Sequence, residues 1–219
     1  MTVAAVILIA TVEGALALAD GVPGVRRIAD AAWAGGAIPI VVVAADPDGA
    51  LTEALAGSEA VLAPPADAAA GPVGEVVTGI DAAIARIRET TAVLAWPAGR
   101  PWVDAETVTS LIEAHGSHAG PVVRPAYRAE PGWPALIPVG HRAVLVTIPA
   151  TAPLPHLLDA LAGSGVDVRV VEVGDPGVVV EAGTTRADLP PFDGPPGPTS
   201  GAHHEWGATA VADRLDGGR

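Results

Sequence analysis

Three uninterrupted apolar runs decide most of what this chain can fold into. Val3–Ala10 (VAAVILIA), Ile38–Ala44 (IPIVVVA) and Ala92–Trp96 (AVLAW) carry no charged residue. Each has the length of a strand, and a strand apolar at every position must be covered on both faces. The intervening stretches supply the cover. Val25–Gly35, Ala50–Ala56, Glu75–Arg88, Ala105–Glu113 and Leu154–Leu161 read as helices. Their apolar residues recur at helical spacing: Val25, Ile28, Ala32 and Trp33 in the first, Val76, Ile80, Ala83, Ile84 and Ile87 in the third, Val108, Leu111 and Ile112 in the fourth. Asp104 stands at the N-cap position of that fourth helix. Ala60–Ala63, Gly120–Arg128, Val166–Val173 and Val178–Glu181 read as further strands, and Pro134–Val139 and Ala143–Ile148 as short apolar runs. Thr11–Ala19 and Pro64–Gly74 read as loops.

Strands alternating with helices imply βαβ units. The expected fold is therefore α/β: a three-layer α/β/α sandwich over residues 1–189 with a mostly parallel, Rossmann-like sheet. Right-handed crossovers bring the ends of the buried strands to one edge, where open α/β sheets bind ligands. The loop Pro97–Val103, between an apolar strand and a capped helix, should line that site. It holds an arginine, a tryptophan, a glycine and two prolines, but no carboxylate.

Composition narrows the partners. The chain has 219 residues and a formal charge of −13, with 12 arginines and no lysine. Nucleic acid and anionic membranes need a basic footprint, so neither is an expected partner. The absence of cysteine excludes disulfides and thiolate chemistry. Met1–Ala19 carries no Arg or Lys and is interrupted by Glu13, which favours a first strand over a leader or a membrane span. A cytoplasmic protein is expected. Residues 190–219 change character: PPFDGPPGPTSG is too rich in Pro and Gly for helix or core strand. This stretch reads as an interaction tail with Phe192 and Trp206 as anchors, packed on this chain's own surface or carried to a protein partner. His203 and His204 would face opposite sides of an extended chain, which makes them poor joint metal ligands.

Five stretches, in order, resemble the MobA-like nucleotidyltransferases, a group that includes the molybdenum cofactor cytidylyltransferases. They are Gly21–Ile28, Gly71–Ala82 with Thr78-Gly79-Ile80, Arg100–Val108, Pro125–Arg128 through Pro131-Gly-Trp-Pro, and Asp175–Thr184. The resemblance runs from Val3 to about Leu189. It implies a sheet of the nucleotide-diphospho-sugar transferase type and transfer of a nucleotide monophosphate from an NTP with Mg²⁺. It also implies a nucleotide pocket mapping onto Ala10, Thr11, Gly14, Gly74, Thr78, Gly99, Arg100, Trp133, Gly183 and Thr184.

The chain departs from the family pattern at each working part. The family's first loop is Gly-rich with Arg and Lys; here it holds only Gly14, no cation, and Glu13. A carboxylate beside a triphosphate repels it. Gly99 stands where the family has a metal-binding Asp, and Gly183 replaces the second, just before Thr184. Trp133 replaces the His of a Gly-His-Pro and is expected to plug the pocket rather than to stack on a base. Glu181 and Asp104 are the nearest carboxylates, with strand and helix-cap roles expected. These departures favour a non-catalytic accessory subunit that binds a nucleotide, a cofactor or a protein, with no cofactor of its own. Mg²⁺ enters only under the alternative, an active transferase with an unusual or partner-completed site. A purely structural subunit is the third reading.

Overall fold

The computed structural model describes residues 2–193. Among the described residues ten strands are formed: β1 (Thr2–Leu8), β2 (Leu18–Ala19), β3 (Val22–Pro23), β4 (Ile40–Val43), β5 (Ala60–Ala63), β6 (Thr90–Pro97), β7 (Val122–Tyr127), β8 (Glu130–Pro131), β9 (Ala135–Pro138) and β10 (Val168–Glu172). The α-helices are α1 (Val12–Leu16), α2 (Gly24–Ala34), α3 (Ala50–Ala54), α4 (Gly71–Arg86), α5 (Ala105–Ser117), α6 (Arg142–Leu145) and α7 (Leu157–Gly163). The main sheet runs β10-β7-β9-β6-β1-β4-β5, with β8 hairpinned onto β7. All its long pairings are parallel except those of β9, which runs antiparallel to β6 and β7. The three apolar runs are thus neighbours in the order β6-β1-β4, mutually parallel and buried.

Alternation along β1 explains the layering. Val3, Ala5 and Ile7 pack with α2, α3 and α5 on one face, through Val25, Ile28, Leu51, Val108 and Leu111. Ala4, Val6 and Leu8 pack with α4, α6 and α7 on the other, through Val76, Ile80, Leu145 and Leu157. A period-2 strand that is apolar at every position feeds two cores at once. Gly79 makes the second face close: a Cβ there would collide with Val6, so only glycine lets α4 reach β1. The 19-residue stretch Ala68–Arg86 is long and apolar enough to cross a membrane by composition. Its apolar stripe (Val73, Val76, Ile80 and Ala83) is spent on the sheet instead.

Four expectations are corrected. Thr11–Ala19 is not a plain loop: Thr11 accepts a hydrogen bond from Gly14 N at 3.1 Å and caps the short helix α1. Pro64–Gly74 already contains the start of α4, with Pro72 in its first turn, where a missing N–H costs nothing. Val178–Glu181 is not a strand. Asp175 caps a single 3-10 turn over Pro176–Val178, so the apolar Val178-Val179-Val180 run is spent on packing, not pairing. Within the short apolar run Ala143–Ile148, Ala143–Leu145 belong to α6, of which only Leu145 is buried. Trp33 also leaves the inward stripe of α2. Val25, Ile28, Ala29 and Ala32 occupy the seam, and Trp33, one position beyond it, is 51% exposed.

Candidate functional site

The parallel register places the ends of β1 and β6 side by side, Leu8 opposite Pro97. The Ala98 N–H donates to the Leu8 carbonyl at 3.0 Å and continues that pairing one step past the strand. Ala10 and Thr11 therefore emerge next to Ala98, Gly99 and Arg100, on the edge where the sequence located a site. Ala10 and Thr11 are exposed, and Glu13 lies in the first turn of α1.

Two joints fasten the loop after β6 to the segment after β10. The first is buried. Asp175 is 3% exposed, and its carboxylate accepts from Asp104 N (2.9 Å), Thr107 Oγ1 (2.7 Å) and Gly177 N (2.8 Å). Burial pushes the Asp175 carboxyl above its ordinary range, and these hydrogen bonds pull it partly back. Gly177 lies flat against the Trp102 carbonyl, where any Cβ would clash. Arg27 completes the fastening from α2: its Nε donates to the Pro101 carbonyl at 3.1 Å, and its guanidinium lies 4.8 Å from the Trp102 ring centre.

The second joint is open to solvent. Ala182 N donates to the Gly99 carbonyl at 2.8 Å. The Arg100 guanidinium donates to the Val179 carbonyl at 2.6 Å and reaches Glu181 Oε1 only at 3.3 Å. Arg100 is 19% exposed at its side chain and Glu181 80%. Burial lowers the Arg100 pKa from its ordinary value, against the supporting charges of Glu181 and Glu130.

Between these parts lies a cavity of about 290 Å³. Pro97, Gly99, Arg100, Trp133, Glu181 and Ala182 form its walls, and Leu154 and Pro155 add an apolar side. Trp133 is 5% exposed, follows Gly132 into a cis peptide bond with Pro134, and donates its backbone N–H to the Val178 carbonyl at 2.9 Å.

The sequence-derived residues separate into three groups. Gly99, Arg100 and Trp133 come together around this cavity. Gly183 (φ +98) and Thr184 form the turn that follows Ala182, and Ala10, Thr11 and Gly14 form the α1 cap beside it. Gly74 and Thr78 are elsewhere: they lie on α4 and line no part of the cavity. Asp104 holds the N-cap of α5 as expected. Glu181 is in an irregular strap, not a strand. Phe192 is half-exposed, and the chain beside it is held by polar contacts, from Tyr127 OH to the Pro191 carbonyl (2.7 Å) and from Arg128 to Asp193 (2.6 Å). His203, His204 and Trp206 lie outside the described residues. The sequence reading missed the Asp175 joint. Its signal was present: a lone acid ahead of Pro-Gly, after an apolar strand, has the form of a capping residue.

The donor set at this edge does not suit a hard divalent cation. Mg²⁺ wants several carboxylate oxygens. Gly99 and Gly183 offer no side chain, which leaves Glu181 as a single carboxylate at the cavity among the described residues. Among the described residues no three His, Asp or Glu side chains group together as a metal site.

Comparison with known proteins fits this architecture. The family model described as the MobA-like NTP transferase domain matches residues 13–168. None of the curated proteins matches the chain in sequence. Among solved structures, the chain is similar to a nucleotidyl transferase from Methanothermobacter thermautotrophicus (TM-score 0.66, 19% identity, 82% of this chain and 91% of that one). It is similar to the 2-C-methyl-D-erythritol 4-phosphate cytidylyltransferase of Thermus thermophilus (0.62, 18%, 86% and 96%). It is also similar to Rv0371c of Mycobacterium tuberculosis, described in complex with manganese (0.60, 17%, 88% and 95%). At these identities the likeness is one of fold.

Proposed function

Because this chain belongs to the MobA-like NTP transferase domain family, we propose that it is a family member that binds a ligand without metal-dependent nucleotidyl transfer of its own, serving as an accessory subunit. One observation carries the reading: among the described residues the only arginine at the cavity is already committed to the strap, through the Val179 carbonyl and Glu181. Phosphoryl transfer depends almost wholly on positioned cations that neutralise developing charge. Here the cavity offers one half-buried guanidinium, and the adjoining first loop brings an acid, Glu13, in place of a cation. A small nucleotide-like ligand, a cofactor fragment or a protein partner reaching into the cavity fits these walls; the chain after residue 193 is the proposed route to a protein partner.

A second reading has one observation in its favour. The similar fold of Rv0371c is described with manganese, so a site completed by a partner's residues could still run metal-assisted transfer. Isothermal titration with CTP, GTP and ATP, with and without Mg²⁺ or Mn²⁺, together with a pyrophosphate-release assay, separates the two. Binding that is indifferent to metal, with no pyrophosphate released, is the expected result. Metal-dependent binding with pyrophosphate release overturns the proposal.

A further inference from the structure

We propose that the Arg100–Glu181 pair is a displaceable latch, and that the cavity behind it takes a compact organic anion: one carboxylate or phosphate group on a small apolar or planar body. The inference deepens the proposed function and rests on its reading of the cavity as a ligand site.

The geometry of the pair comes first. Arg100 is anchored by a short bond to the Val179 carbonyl, which fixes its guanidinium in the cavity wall. Its contact with Glu181 is single and long, 3.3 Å, and Glu181 is four-fifths exposed. An exposed carboxylate held this way gains little from the pairing. A planar guanidinium has five donors in a fork that matches a carboxylate or phosphate two-at-a-time. Two of those donors are used here, one of them weakly. Glu181 thus stands in for an anion that could be held better.

The walls then select the rest of the ligand. Trp133, Pro97, Leu154 and Pro155 offer an aromatic ring and aliphatic surface, with no second cation at the cavity among the described residues. About 290 Å³ accommodates one ring with its anionic group. Glu130 also exerts its charge on Arg100. It opposes an incoming anion, which favours a single small anionic group over a highly charged one. Displacing Glu181 leaves the strap held by Gly99–Ala182 and by the Asp175 joint, so ligand entry does not require the fold to open.

The test is isothermal titration of the full chain with phenyl phosphate, benzoate and inorganic phosphate, all in EDTA. The expected result is binding of phenyl phosphate or benzoate, tightened by Glu181→Gln by about two- to fivefold, the scale of a removed exposed ion pair, and lost in Arg100→Gln. A purely structural Glu181 would not tighten binding when neutralised. Preference for phenyl phosphate assigns phosphate monoesters, and preference for benzoate assigns carboxylates. Inorganic phosphate binding as well as phenyl phosphate overturns the role of the apolar wall. Glu181→Gln binding unchanged or weaker, or no binding of either organic probe to the wild type and to Glu181→Gln, overturns the latch. Glu181 is exposed, so its variant folds even if Arg100→Gln does not. Because metal is excluded, failure here leaves the metal-independent accessory reading intact, and pyrophosphate release in the NTP assay leaves this result readable.

Discussion

The same two segments, the loop after β6 and the strap after β10, are joined twice, and the two joints could hardly be built more differently. At Asp175 a buried carboxylate accepts three hydrogen bonds from groups fixed in the backbone or in a helix. At Arg100 a half-buried cation meets an exposed acid across 3.3 Å. The difference is one of solvent. Removing a partner from a buried, satisfied charge leaves orphaned donors that water cannot reach, whereas an exposed pair exchanges its partner for water at almost no cost. One joint therefore sets the architecture of the edge, and the other is free to respond to what occupies the cavity.

The sharpest way to break this contrast is at the buried joint. Asp175→Ala orphans Asp104 N, Thr107 Oγ1 and Gly177 N, at roughly 1–3 kcal/mol for each buried unsatisfied group. A loss of about 3–5 kcal/mol in urea denaturation is expected; a loss under about 1 kcal/mol would show that the joint is ornamental. Next in size is Gly177→Ala. The added Cβ meets the Trp102 carbonyl, which belongs to backbone and cannot swing away, so overpacking should cost about 1–3 kcal/mol. The same substitution at Gly99, where a Cβ meets nothing, should leave the melting temperature near wild type.

Burial without partners predicts a pH effect away from both joints. His115 on α5 is buried, and neither ring nitrogen has a partner among the described residues. Desolvation lowers its pKa from 6.5. The unfolded chain then binds the proton first, so this contribution to stability is present above pH 6.5 and is lost as the pH falls from there toward the folded value. The slope is at most about 1.4 kcal/mol per pH unit. His115→Leu should flatten denaturation midpoints measured between pH 7 and 5; an unchanged slope would assign it to other groups. Asp175 acts in the opposite sense at lower pH. Its raised pKa makes its contribution fullest below 3.8 and lost as pH rises through the folded value. The smallest expected effect is at the open joint: Glu181→Gln should change stability by under about 0.5 kcal/mol, and a larger loss would erase the distinction between the joints.

Much of this was legible in the chain. Val3–Ala10, Ile38–Ala44 and Ala92–Trp96 declared a doubly covered parallel sheet because an all-apolar strand has no solvent face to offer. The edge bearing Gly99 and Arg100 followed from the connection of β6 to α5, since the crossover rule fixes which end of a parallel strand the loops share. The strap was misread because Val178-Val179-Val180 has the composition of a strand, and composition records burial without recording the partner. Its hydrogen bonds go to Trp133 and Arg100, residues 45 to 79 positions away in sequence for the pairs Trp133–Val178 and Arg100–Val179.

What the sequence determined by itself was therefore periodic and local: strands, helices, the Asp104 cap, the chemistry absent from the first loop and from Gly99 and Gly183. Tertiary structure alone decided which side chains spend their charge on each other. Arg100 reads in sequence as a surface arginine or as a cation that grips a phosphate. Folding brings the Val179 carbonyl and Glu181 to it from across the sheet edge, and leaves Gly74 and Thr78 on α4 outside the cavity lining. No local pattern encodes those distances, because they are set by how helices and straps pack against a sheet whose order differs from the order of the chain.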